Sequence, residues 1–272
     1  MPEPRRAFTA LVGVHLRELR SQLAPLLIFT VLLPLALAAA LNAMPTLVPP
    51  YAPGNQPSTL DLAATTSERG AFILAAALMA TLLGIAWGVL PQQLAQMRNQ
   101  HQFDFFAGFP VGRVTYLLAL LVAYAIVALP GVLLVPTLTA LALKATVSAN
   151  PAFLIVVPLC FLALTTTGGA LGLARLSTAT TVALSAALYL LGVGVLGLPA
   201  TGSLGGAAHT LAFLSPATLA TDLLNATLPH HGGTSALVLD GVGLGLYTAG
   251  AAYLVQRLLP WRVSALQPQT GG

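Results

Sequence analysis

The amino-acid sequence predicts an all-α integral membrane protein with six transmembrane helices. Three observations carry that prediction. Charged residues make up 7% of the 272 residues and hydrophobic ones 57%, where a soluble globular chain carries about 25% charge, and the mean hydropathy is +0.86. Six apolar segments each approach the roughly 20 residues that a helix needs to cross a bilayer. The basic residues gather on one side of the arrangement those segments define. Seven acids and eleven bases cannot cover a 27.9 kDa globule, so lipid must be the solvent for most of the chain. Intrinsic disorder, which needs low hydrophobicity and high charge, is excluded by the same composition.

The elements follow in order, within a single transmembrane domain spanning 1–272. Residues Arg5 to Arg20 place Phe8, Leu11, Val12, Leu16 and Leu19 on one helical face and Arg6, Thr9, Gly13, Arg17 and Arg20 on the other. This is the pattern of an amphipathic helix in the headgroup layer, with Arg5, Arg6, Arg17 and Arg20 toward anionic lipid. The first span, Leu23 to Ala43, is longer than the 7 to 15 apolar residues, roughly, of a cleaved signal peptide. Met44 to Arg69 is rich in Pro, Asn, Ser and Thr and reads as an extramembrane loop. The other spans are Ala71 to Leu90, Tyr116 to Leu143, Ala152 to Ala174, Thr180 to Pro199 and Leu237 to Leu259. The third, at about 28 residues and 1.5 Å per residue, exceeds a hydrocarbon core of about 30 Å and must bend or project. Pro34, Pro130, Pro136 and Pro158 predict kinks.

Orientation follows from the bases. With the N-terminus inside, the inner side holds Arg5, Arg6, Arg17, Arg20, Arg98, Arg113, Arg175, Arg257 and Arg262, and the outer side only Arg69 and Lys144. Both termini are expected in the cytoplasm. The split also accounts for a pI of 9.6 without nucleic acid as a partner.

Two further segments depart from plain spans and loops. The inner loop Pro91 to Arg113 sets Phe103, Phe105, Phe106 and Phe109 among amides, an acid and a base, and such rings are costly to leave in water. They must lie against lipid, the rest of the chain or another protein. His209 to Leu228 is apolar but split by Ser215–Pro216, and both neighbouring spans end on the outer face. It reads as a re-entrant or interfacial helical pair, tolerated in the membrane when packed on protein.

The chemistry that is missing narrows the function. The sole lysine, Lys144, has no glycine turn beside it, so there is no phosphate-cradling loop for ATP. The spans hold almost no charge; Asp240, with Asp222 before it, is the best exception, and both read as carboxylates reaching the outer headgroups. His230 and His231 lie in a glycine-rich loop without a nearby carboxylate, so they read as a surface pair rather than a metal site. Cys160, alone, forms no intrachain disulfide and reads as a packed small residue. The motifs Gly84-x-x-x-Gly88, Gly168-x-x-x-Gly172 and Gly241-x-x-x-Gly245 permit close helix contact.

The order of these elements resembles the permease subunits of ABC-2-type transporters, the membrane-spanning subunits of ATP-binding-cassette exporters. The match is sharpest over Gln102 to Arg113, where Asp104 stands at the family's acidic position, followed by Phe105, Phe106, Pro110, Val111 and Arg113. Phe213-Leu214-Ser215-Pro216 and Asp222-Leu223-Leu224 are similar to the family's segment before the last helix. Asp104 replaces the usual Glu, and His101 stands where Gly is common. The resemblance implies that Gln92 to Phe109 forms a coupling helix docking a separate ATPase, with Met97, Arg98, His101, Phe103, Asp104, Phe105, Phe106 and Phe109 at the contact. It implies two ATPase copies binding ATP and Mg, no cofactor in this chain, and a second permease copy, identical or paralogous. A non-catalytic subunit in the inner (plasma) membrane of a bacterium follows from it. The importer signature, E-A-A with a spaced Gly, is missing, which favours export of a hydrophobic or amphipathic drug, antibiotic or lipid-linked molecule. A self-contained carrier or channel, marked by mid-membrane charges, and a membrane-embedded lipid-modifying enzyme, marked by clustered catalytic groups, are the competing expectations.

Overall fold

A computed structural model of the chain describes residues 4–43, 59–109, 111–144, 151–197, 215–227 and 234–261. Among the described residues every regular element is helical. Helix α1 is Pro4–Arg20, and α2 runs through Leu23–Ala43 with a π-helical turn at Ile28–Leu32. Helix α3 continues without a break from Thr59–Leu83 through a second π-helical turn, Gly84–Val89, into Leu90–Asn99. Then come α4, Gln102–Ala107; α5, Arg113–Leu143; α6, Phe153–Leu173; α7, Thr178–Gly197; α8, Pro216–Thr227; and α9, Thr234–Leu258.

Five of these are long and apolar enough to cross a membrane: Leu23–Ala43, Gly70–Asn99, Arg113–Leu143, Phe153–Leu173 and Val238–Leu258. A sixth apolar helix, α7, falls short of that length over Thr178–Gly194. Helix α3 is the axis of the fold. It packs against α2, α5, α6, α7 and α8, and its spanning length is buried. The helices around it turn large apolar side chains outward, with Leu141 70%, Leu154 78% and Leu246 70% exposed. In water such a surface would be unfavourable, and in hydrocarbon it is the required one.

Close approach on the axis depends on glycines, among them Gly84, Gly131, Gly168 and Gly172. A β-carbon at Gly84 would overlap the backbone oxygen of Phe29, and one at Gly168 that of Ala86. The two π-helical turns meet at the first of these contacts. Pro34 lacks an N–H and its ring crowds the carbonyl four residues back, and the widened turn of α2 lies just before it. Pro130 and Pro136 lie within one continuous α5, whose 31 residues span about 46 Å, longer than a bilayer core.

Several expected boundaries are corrected. Thr59 to Arg69 is helix rather than loop, because Leu62, Ala63, Ala64, Glu68 and Arg69 are good helix formers; residues 44–58 lie outside the described residues. The second span does not stop at Leu90. Pro91 directly follows the π-helical turn, in the first turn of the α-helical stretch Leu90–Asn99. The expected helix over Gln92 to Phe109 is therefore two pieces, the end of α3 and the separate α4. Of the pair expected at His209 to Leu228, the first half lies outside the described residues. The second half is α8, packed on α3, α6 and α9.

Candidate functional site

The break between α3 and α4 falls at His101, which adopts a left-handed backbone with φ 56°. That conformation costs a residue with a β-carbon about 1–2 kcal/mol, which makes a glycine common at such a position intelligible. The His101 side chain is 82% exposed, and its Nδ1 lies 3.1 Å from Asp104 Oδ2. The Asp104 carboxylate thus sits in the first turn of α4, beside the residue that starts it.

Helix α4 has two unlike faces. Phe103 and Ala107 are buried, and Phe106 packs partly covered against the core. Phe103 stands 6.0 Å from Tyr116, edge to face, and Phe106 stands 5.0 Å from the same ring. Tyr116 also meets Trp261 at 5.4 Å and His15 at 5.1 Å. One ring at the foot of α5 therefore joins α1, α4 and the segment after α9. On the other face Phe105 is 65% exposed. Phe109, half exposed, lies 5.1 Å from it, ring to ring.

His15 was not singled out in the sequence, although it is four residues from both Leu11 and Leu19, and those two residues with His15 form the buried stripe of α1. Among the described residues its ring nitrogens have no hydrogen-bond partner, and Nδ1 lies 3.8 Å from Glu18 Oε2. The expected polar face of α1 is otherwise as read: Arg5, Arg6, Arg17 and Arg20 are exposed.

The expected contact residues divide accordingly. Met97 and Phe103 are buried inside the chain, so they support α4 rather than offer a surface. Arg98 turns inward. Its guanidinium donates to the carbonyls of Ala174 and Leu176, beyond the C-terminal end of α6, where unpaired carbonyls and the helix dipole favour a cation. Arg113 donates to the Trp261 carbonyl at 2.9 Å. What α4 leaves open is His101, Phe105 and Phe109, with Asp104 and Phe106 at the edge.

Among the described residues no group of His, Cys, Asp and Glu is placed to hold a metal ion. Cys160 is buried, with Sγ 3.7 Å from the Ala220 carbonyl oxygen. Asp222 is exposed, and Asp240 is buried in α9. The long apolar helices around a buried axis are the features of an all-α membrane protein. No protein-family model matches the chain, and no curated protein matches its sequence.

Proposed function

We propose that this chain is the membrane-spanning permease subunit of an ABC-2-type transporter, an exporter driven by a separate ATPase. The observation that supports it best is the short helix α4. Its inner face is anchored by aromatic contacts to α1 and α5, while Phe105 and Phe109 stand together in the open. Isolated exposed apolar side chains are ordinary, but a paired aromatic edge on a braced helix is the kind of anchor that fills a partner's pocket. This end of the bundle carries Arg98, Arg113 and Arg257, which in the proposed orientation is the cytoplasmic side. In this reading α7 completes a set of six spans, α8 is the second half of the re-entrant segment, and two copies of the chain pair around the pathway. The chain carries no phosphate-cradling loop of its own, so energy comes from the partner. The experiment is co-expression with ABC ATPases encoded in the same genome: one of them should purify together with this chain. Purification of the permease alone at full yield would count against the reading.

One observation favours a second reading, a self-contained carrier: the buried carboxylate of Asp240. Intramembrane acids mark ion and proton paths by default. Transport by the isolated chain in ATPase-free proteoliposomes, driven by an ion gradient, would favour that reading.

A further inference from the structure

The carboxylate of Asp240 is the unusual group in the outer half of the bundle. It is 7% exposed, and among the described residues no hydrogen bond or ion pair reaches it. A carboxylate set among apolar groups without a partner is costly, and a bound cation offsets that cost. Asp240 also lines an open groove of about 990 Å³ between α6, α8 and α9, whose outer wall, Leu239, Leu246 and Leu254, is exposed.

The rest of the lining is apolar, with Leu219, Leu246 and Leu254 among it. Tyr247, two helical turns from Asp240, adds an aromatic ring of the kind that attracts cations through its face. The one other hydroxyl-bearing residue on the wall, Thr167, is already engaged: its oxygen accepts from Trp87 Nε1 at 3.1 Å and donates to the Leu164 carbonyl. The contrast with another cavity among the described residues is informative. That space, about 180 Å³, is lined by Tyr124, Thr165 and Thr166, but Tyr124 donates to Gln93 and both threonines to backbone carbonyls. The remaining polar residue on its wall, Gln256, is exposed.

We propose that the Asp240 groove is a binding site for a hydrophobic organic monocation, with the carboxylate as counter-ion and the apolar wall as the surface that receives its hydrophobic groups. A small hydrated metal ion suits it poorly, because one carboxylate and an apolar wall cannot replace a hydration shell. As a binding site it stands without any ATPase. As the cargo site of the transporter, and so the substrate class, it rests on the permease reading above.

The test uses two probes of the same size and shape and opposite charge, tetraphenylphosphonium and tetraphenylborate. Binding to the purified chain in a neutral detergent is measured by equilibrium dialysis against empty micelles. The wild-type chain should bind the phosphonium at least tenfold more tightly than the borate. Asp240→Asn should lower phosphonium affinity at least tenfold and leave the borate unchanged, and Asp240→Glu should retain most of it. Equal binding of the two ions by the wild type overturns the proposal, and that comparison needs no variant to fold. Phosphonium affinity within twofold of wild type in Asp240→Asn overturns it equally. Because no ATPase is present, either result is separable from a failure of the permease reading.

Discussion

The rings of Phe106 and Tyr116 stand 5.0 Å apart, centroid to centroid, with their planes tilted by 44°. This contact holds α4 against the foot of α5, and it separates two neighbouring phenylalanines by role. Phe106 anchors the short helix within the chain, while Phe105, one residue earlier, faces outward. Truncating Phe106 to Ala should therefore lower stability by about 2 kcal/mol, below the 3–5 typical of a fully buried Phe because the ring is only partly covered. Phe105→Ala should stay within about 0.5 kcal/mol of wild type. Thermal melting of the two variants in detergent checks the difference; equal losses would remove the distinction between the faces.

A second prediction concerns the glycines of the axis. Gly168→Ala places a β-carbon where the Ala86 backbone oxygen already stands, whereas one at Gly245 meets nothing within 4 Å. Backbone cannot give way as a flexible side chain can. Gly168→Ala should cost about 1–3 kcal/mol through overpacking and reduce the monodisperse fraction in size-exclusion chromatography. Gly245→Ala should elute as wild type.

Arg98 supplies the third. Its charge-assisted bonds to carbonyls beyond the end of α6 predict a loss of about 1.5–3 kcal/mol on substitution by Ala. Lysine, a point charge without a planar fork, should recover less than half of it. Full stability of Arg98→Ala in a melting experiment would mean that the α6 end does not need this cap.

How far these features could be read from the sequence depends on whether the pattern is local. The limits of the first span, Leu23 to Ala43, follow from a continuous apolar run and are those of α2. The face of α1 was legible from its spacing, apart from His15, since a polar residue type on an apolar stripe carries no local mark of burial. The two pieces of the segment 92–109 were not legible. Pro91 looks like a helix breaker until the π-helical turn before it is known, and a left-handed His101 is a choice made by the packing of α4. The glycine motifs looked alike in sequence. Only packing tells them apart: Gly84 and Gly168 face backbone, while a β-carbon at Gly241 or Gly245 meets nothing. Asp240 sits one residue before Gly241, close to a helix end, where an acid ordinarily reaches water; its burial comes from the packing of its neighbours.

Orientation gives the fourth prediction. In a Cys160→Ala background, Lys144→Cys should react with a membrane-impermeant maleimide added to intact cells, and Gln100→Cys should react only after the membrane is opened. Both positions are exposed, so access is decided by the membrane. The reverse pattern would invert the topology and place α4 outside.

The central claim is that the open face of α4 docks an ATPase, and one measurement addresses it directly. Phe105→Ala/Phe109→Ala is compared with wild type and with Lys144→Ala, a control at the opposite end of α5, for the amount of ATPase recovered per folded permease. Buried aromatic anchors often contribute about 2 kcal/mol or more each at an interface, so the double variant should retain less than a tenth of the wild-type ATPase while the control retains all of it. Equal recovery by the double variant and the control would contradict the account.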